Sequence, residues 1–318
     1  MIEPSEQLVT VLGGGGFIGR YVCEALFRAG VRVRIAQRDP RKAYIIQPLG
    51  PVGRFGFVRA DIGDARSVAE AVKGASAVIN LCGAFGKAMQ SVHVDGARNV
   101  AVAAGAAGAG ALVQVSAIGA DVGSPSSYGR TKAQGETAVR EAFPAATFIR
   151  PSLVFGPEDN LTNRFAGMAR VPFLPVIAGK RNFQPVYVRD LAKAIAMAAL
   201  DPQRFGGRTF EIGGPQVMSM TELHRAILEI TQQDTEIVHL PDLVATAISH
   251  FGWMPGAPLT RDQWLMLQRD NVPAAGAEGL EAFGIKPAPL AAVGYEWLGR
   301  FNKGAKVAAR RINLTANS

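Results

Sequence analysis

Gly13-Gly14-Gly15-Gly16-Phe17-Ile18-Gly19 lies between an apolar, β-branched run at residues 8–12 and a helix-forming run that begins at Phe17. Few features restrict a fold more. Glycines at 13, 16 and 19 stand at G-x-x-G-x-x-G spacing where a predicted strand turns into a predicted helix. Gly13 permits the tight turn, Gly16 lets the backbone approach a diphosphate, and Gly19 lets the helix sit close on the strand. The free N–H groups of the helix start then face negative charge. Glycines alone mark only a turn, but the strand–turn–helix setting predicts a dinucleotide cradle, with Gly15, Phe17 and Ile18 as further contacts.

The remainder of the first two thirds alternates in the same way. Residues 17–29 read as a helix stopped by Gly30. Strands are expected at 31–36, 57–60, 77–81, 112–115 and 147–149, separated by Ala-rich helical stretches. The strand runs are apolar at successive positions, as parallel strands covered on both faces require. The succession predicts an α/β fold with a doubly wound, mostly parallel sheet. Residues 1–215 are assigned to this domain, with a Pro- and Phe-rich insertion of loops and a short helix at 151–185. A helix at 188–200 and a strand at 209–212 follow the insertion. Residues 216–318 are assigned to a smaller C-terminal α/β cap, with a strand at 236–240 and a basic tail.

Composition excludes several classes. The chain has 318 residues, 48% hydrophobic and 19% charged, enough for a large core. Two cysteines, Cys23 and Cys82, give no disulfide framework and fit a reducing compartment. The four histidines are scattered, so no metal is expected. No apolar run reaches about 18 residues, so no spanning helix is expected, and the polar start reads as neither a signal nor a transit peptide. Net charge is +8. Arg300, Lys303, Lys306, Arg310 and Arg311 form a basic tail, which suits a solvated end or docking on an anionic membrane face or acidic partner. Without interleaved aromatics it gives no nucleic-acid footprint.

The end of the second strand decides between nicotinamide cofactors. An acid there binds a ribose 2′-hydroxyl, whereas an Arg accommodates a 2′-phosphate. Here Gln37 stands at the acidic position, followed by Arg38, with Arg41 and Lys42 nearby; Asp39, before Pro40, reads as a turn and helix cap. NADP(H) is therefore expected over NAD(H). Tyr128-Gly129-Arg130-Thr131-Lys132 then places Tyr128 and Lys132 on one helix face. The Lys ammonium can hold nicotinamide-ribose hydroxyls and lower the Tyr pKa from about 10, making it a general acid/base.

The glycine spacing and the Tyr–Lys pair resemble the extended and atypical branches of the short-chain dehydrogenase/reductase superfamily, whose sheet is the Rossmann fold. By that resemblance Asp61 and Ile62 sit at the adenine, where Asp61 also suits a helix N-cap, and Leu81, Cys82 and Gly83 form the turn beside the adenosine ribose. The family's catalytic Ser or Thr lies just beyond strand five. Here that stretch is Ser116-Ala117-Ile118, so Ser116 is the candidate, with Ala117 or Ile118 at the usual hydroxyl position and Ser126 or Ser127 as substitutes.

Segments 149–159, with Pro151 and Ser152 as further cofactor contacts, and 184–190, 259–262 and 279–285 are similar to the branch containing the Rossmann-fold accessory subunit of respiratory complex I. That resemblance implies an NADPH-holding subunit serving assembly or stability, docked on peripheral-arm subunits at the cytoplasmic face of a bacterial inner membrane. A free reductase or nucleotide-sugar epimerase/dehydratase acting through Tyr128 and Lys132 is the other class, with Arg164, Arg170, Lys180 and Arg181 as possible diphosphate contacts.

Overall fold

The computed structural model describes residues 6–169, 171–254 and 259–302. Seven strands build the central sheet: β1 (Leu8–Leu12), β2 (Arg32–Gln37), β3 (Phe55–Arg59), β4 (Ala77–Asn80), β5 (Ala111–Val115), β6 (Thr147–Pro151) and β7 (Thr209–Ile212). Their order is β7-β6-β5-β4-β1-β2-β3, and every pairing is parallel. Each residue of β4 and β5 is buried, which explains why apolar residues stand at successive positions there, interrupted only by Asn80 and Gln114. The sequence placed these strands to within a residue or two.

Among the described residues, the sheet is covered by the helices α1 (Phe17–Arg28), α2 (Ala65–Val72), α3 (Ala97–Ala106), α4 (Ser127–Ala142) and α5 (Val188–Leu200). The α2, α3 and α4 side chains Val68, Val72, Val100 and Val139 share one apolar cluster with Leu12, Val78, Leu112 and Phe148 of the sheet. Helix α1 packs against α5, and the Arg189 guanidinium clamps Glu24 at 2.8 and 2.9 Å. Gly30, at φ +78°, turns the chain out of α1 as expected. The strand order reverses between β1 and β4, and in such sheets a ligand crevice opens there at the carboxyl ends.

The chain divides into two compact units, but not at residue 215. One comprises Met1–Pro151, Val188–Ile212 and Pro273–Lys286; the other comprises Ser152–Tyr187, Gly213–Val272 and Pro287–Ser318. The expected insertion thus belongs with the C-terminal part, because its short strands pair there. Phe173–Val176 runs parallel to Glu236–His239, and Asn182–Phe183 antiparallel to Met218–Ser219. Conversely, residues 273–286 return to the sheet unit. Glu211 N–H donates to the Glu278 carbonyl at 2.9 Å, and Phe283 stacks on Phe205 with centroids 4.5 Å apart. Strands of two to four residues are too short to leave a readable period.

Within the second unit, Trp297 stacks on Tyr187 and Phe155, and a Ser219/Glu222 capping box opens the helix Met220–Thr231. Arg300 donates to Asn163 Oδ1; Lys303, Lys306, Arg310, Arg311 and Arg170 lie outside the described residues. Among the described residues no helix is long and apolar enough to cross a membrane, and no His/Cys/Asp/Glu grouping could hold a metal ion.

Candidate dinucleotide site

The glycine turn is built as its spacing demands. Gly13 takes φ +79°; its N–H donates to Ala36 O at 2.9 Å and its carbonyl accepts from Gly16 N at 3.0 Å. A Cβ on Gly19 would stand 2.5 Å from the carbonyl oxygens of both Gly13 and Gly14, so only glycine lets α1 rest on the turn. Gly16 is the N-cap of α1, no side chain caps it, and the first turn, with Phe17 and Ile18, carries no acid. The field of a three-turn helix is therefore not offset by an acid in its own first turn, a condition that favours receiving a pyrophosphate.

Around the end of β2, Gln37 accepts from Gly15 N–H at 3.0 Å and donates to Asp39 O at 2.6 Å. Asp39 accepts from the Arg41 backbone N–H at 3.2 Å and from the Arg41 guanidinium at 2.9 and 3.1 Å. It caps the 3₁₀ segment Pro40–Leu49, the role expected of it. The Arg41 contact holds its carboxyl below the usual range. Arg38 is exposed and pairs with no carboxylate among the described residues.

Asp61 does not cap α2. Asp64 does, accepting from Arg66 N at 3.0 Å, while Asp61 folds its own turn by accepting from Gly63 N. Ile62 faces the core cluster, and its carbonyl accepts from Asn99 Nδ2 at 2.9 Å.

Leu81, Cys82 and Gly83 follow β4 directly. Leu81 N–H donates to Leu12 O at 3.0 Å, and a Cβ on Gly13 would meet Cys82 Sγ at 3.4 Å. Burial pushes the Cys82 thiol up to about 12, opposed by the positive charges of Lys132 and Arg38 and reinforced by Asp61. Side chains far apart in sequence thus surround one point at the carboxyl end of the sheet. A buried polar chain also crosses from β4 to α4. Cys82 N–H donates to Asn80 Oδ1 (3.1 Å), Asn80 Nδ2 to Gln114 Oε1 (2.9 Å), and Gln114 Nε2 to Val115 O (3.3 Å). Lys132 Nζ donates to the same Val115 carbonyl at 3.3 Å.

Lys132 is buried, and desolvation pulls its ammonium down to about 8 against the charges of Cys82 and Glu136. Its Nζ stands over the Tyr128 ring, 5.7 Å from the centroid. The expected lowering of the Tyr128 pKa is absent: burial pushes the hydroxyl up to about 12. Phe85 stacks on the ring (4.9 Å, 13°) and His93 meets it edge-on (5.3 Å). Ser116 is buried at the end of β5, and its Oγ has no hydrogen-bond partner among the described residues. The proposed substitutes serve the helix start instead. Ser126 caps α4 by accepting from Gly129 N, and Ser127 accepts from Arg130.

Pro151 ends β6, where its carbonyl accepts from Ile118 N at 3.1 Å. Ser152 belongs to the other unit. Its hydroxyl lies 2.6 and 2.8 Å from two acceptors of Asn271 and accepts from Gln184 N.

His93 escaped the sequence reading. Its Nε2 accepts from Ala84 N–H at 3.0 Å, so the ring proton lies on Nδ1 and points to Thr131 Oγ1 at 2.9 Å. The Thr131 hydroxyl in turn donates to the Ser127 carbonyl at 2.9 Å. Burial and the neighbouring Lys132 charge hold His93 down at about 4, hence neutral. Gln114 and Asn80 were also missed. A polar residue inside an apolar run such as 77–80 or 111–115 was the available clue.

An uncapped helix start, an exposed guanidinium, a buried ammonium and an orphaned hydroxyl at one end of a parallel sheet fit a dinucleotide with two phosphates and two riboses. The class so defined is the NAD(P)-binding Rossmann proteins. Residues 9–213 match the NAD dependent epimerase/dehydratase family, and the chain belongs to that family.

Among relatives, it is 35% identical over 295 residues to NADH dehydrogenase [ubiquinone] 1 alpha subcomplex subunit 9, mitochondrial, of Mus musculus, covering 90% of this chain and 78% of that protein. It is 27% identical to the NADH-ubiquinone oxidoreductase 40 kDa subunit of Neurospora crassa, over 93% and 80% of the two chains. It is 30% identical to the ceramide reductase of Caulobacter vibrioides, over 76% of each. The fold matches an NADPH-dependent quinone oxidoreductase from Escherichia coli complexed with NADPH. That match has a TM-score of 0.73 and 19% identity, covering 89% of this chain and 97% of the other.

Proposed function

We propose that this protein is a nucleotide-holding accessory subunit that supports assembly or stability of respiratory complex I, with NADP(H) as its resident cofactor. The observation that carries the reading is the 35% identity to a complex I subunit, which runs along nine tenths of the chain rather than over the nucleotide-binding part alone. The site agrees with it. Lys132 and the glycine loop are placed to hold a dinucleotide, whereas Tyr128 is shifted away from acid–base use and Ala117 and Ile118 follow Ser116 where a second hydroxyl would complete the chemistry. When bound, the cofactor would bring a hydride to the nicotinamide end; this chain's own residues orient its riboses and phosphates. Exposed Arg38, with no carboxylate partner among the described residues, favours a 2′-phosphate.

The partners are then the peripheral-arm subunits, on the membrane face where NADH is oxidised, the cytoplasmic face in a bacterium. The basic tail is a candidate contact with the anionic surface. Tagged protein recovered from gently solubilised membranes is expected to bring down those subunits, and less of them as salt is raised. Recovery as a lone species would favour the second reading, a free NAD(P)H-dependent reductase or nucleotide-sugar epimerase/dehydratase. The similarity to a ceramide reductase speaks for that reading.

A further inference from the structure

The end of β2 and the phosphate loop are joined by one side chain. Gly15 N–H points to Gln37 Oε1 at 3.0 Å, and Gln37 Nε2 donates to Asp39 O at 2.6 Å. A donor at one end of the carboxamide and an acceptor at the other fix which way it faces. Contact is close enough to dictate the residue opposite. A Cβ on Gly15 would fall 2.2 Å from Gln37 Oε1 and 2.9 Å from the Ala43 Cβ of the following 3₁₀ segment. Gly15 is therefore a glycine for the sake of Gln37 and Ala43. Its N–H is already engaged by the protein.

We propose that Gln37 is a positioning residue that braces the phosphate loop against the 2′-ribose end of the site and also helps select the cofactor. This deepens, and rests on, the reading of the site as an NADP(H) site. Two consequences follow from the chemistry of a carboxamide. The pyrophosphate is left to the N–H groups at the start of α1, held in place because Gly15 is tied back. At the ribose, a 2′-hydroxyl needs a strong acceptor, but Gln37 offers only a neutral oxygen that already accepts from Gly15. A 2′-phosphate needs donors, and it meets the second Nε2–H of Gln37 and the Arg38 guanidinium. Sequence rules credit this position only with the absence of an acid; the structure gives it a mechanical task as well.

Calorimetric titration of the full chain with ADP, NADH and NADPH separates these roles. Gln37→Met keeps the length and removes both hydrogen bonds; it is expected to weaken ADP and NADH alike, roughly tenfold, and NADPH by roughly tenfold more, because the 2′-phosphate also loses a donor. Arg38→Ala is expected to weaken NADPH alone, roughly 10- to 100-fold. Gln37→Glu retains an acceptor for Gly15 N–H, so ADP affinity should stay within about threefold while the NADPH-over-NADH preference falls roughly 100-fold. Gly15→Ala displaces the carboxamide and should mimic Gln37→Met, with the double variant no worse than either single one.

Unchanged ADP binding in both Gln37→Met and Gly15→Ala would overturn the brace, as would a Gln37→Met loss confined to NADPH. Failure of the underlying cofactor reading looks different. The unaltered protein would then bind NADH and NADPH equally or bind neither, whatever the ADP titrations of the variants show.

Discussion

Lys132 and His93 are buried bases at one site, displaced in the same direction for the same reason. Desolvation holds the Lys132 ammonium down at about 8 and the His93 imidazolium at about 4. For both, the unfolded chain binds more protons than the folded one between the depressed value and the ordinary one, so stability rises with pH across each window. The unliganded protein should lose stability as pH falls from about 6.5 toward 4, where His93 must charge. Lys132 by itself contributes a gain from about 8 upward, but above about 9 the raised thiols of Cys23 and Cys82 and the raised Tyr128 hydroxyl pull the other way, so the alkaline gain should be confined to about pH 8–9. Cofactor affinity should move oppositely at the alkaline end, because the neutral amine holds ribose hydroxyls less well. Thermal melts with and without NADPH from pH 5 to 10 would reveal the crossing. A ligand-induced shift that stays constant between pH 7 and 9.5 would remove Lys132 from the binding site. The Tyr–Lys spacing made Tyr128 and Lys132 legible in the sequence, but their electrostatics were not. Burial at a strand end is a tertiary quantity, and it reversed the direction expected for Tyr128.

Helix α4 shows what an element adds to its residues. Ser126 starts it, Thr131 and Lys132 turn toward the site, and one turn further on Glu136 grips Arg150 of β6 at 2.6 and 2.9 Å. Arg150 in turn reaches Glu211 of β7 at 3.2 Å, so the helix is tied to the strands beneath it. On another side, Gly135 admits the π-helical turn Ser91–Gly96, which carries His93. A Cβ at 135 would fall 1.9 Å from the His93 carbonyl oxygen, a backbone atom that cannot swing aside. Gly135→Ala is therefore expected to cost about 1–3 kcal/mol, as overpacking does, and to loosen nucleotide by disturbing His93 and Lys132 together. Gly105 is the control. It sits in α3, where an added Cβ meets only ordinary contacts from 3.8 Å outward, so Gly105→Ala should be neutral or stabilising by a few tenths of a kcal/mol. Equal melting temperatures for the two variants would show that the π-turn yields freely. Such a turn leaves no trace in hydrophobic periodicity, whereas the parallel strands and α1 were readable because their apolar runs and glycine stops are local. The exchange of residues 152–187 and 273–286 between units was hidden for the complementary reason: it rests on pairings between segments dozens of residues apart.

At the scale of the whole molecule, the question is whether a site that holds a dinucleotide also turns it over. A substrate carbonyl needs a proton donor and a second hydrogen-bond donor for its developing charge; lacking the second typically lowers the rate about 10²–10³-fold. Here the donor candidate Tyr128 is held neutral far above working pH and is flanked by Phe85 and His93, while Ser116 lies buried at the end of β5. Such a site is suited to stabilising the protein that contains it. A bound ligand at about 100 times its dissociation constant adds about 2.7 kcal/mol to the native state, enough to decide whether a subunit survives until it is assembled. Lys132→Ala should therefore weaken nucleotide binding, lower the melting temperature of the nucleotide-loaded protein and reduce its recovery with the respiratory complex. Tyr128→Phe should leave recovery unchanged, since it removes only a hydroxyl. NADPH consumption followed by absorbance across carbonyl and nucleotide-sugar substrates completes the comparison. Turnover above about 1 s⁻¹ that disappears in Tyr128→Phe would place the protein among working enzymes. It would also mean that substrate binding lowers the Tyr128 pKa back into a useful range, through contacts that the unliganded site does not make.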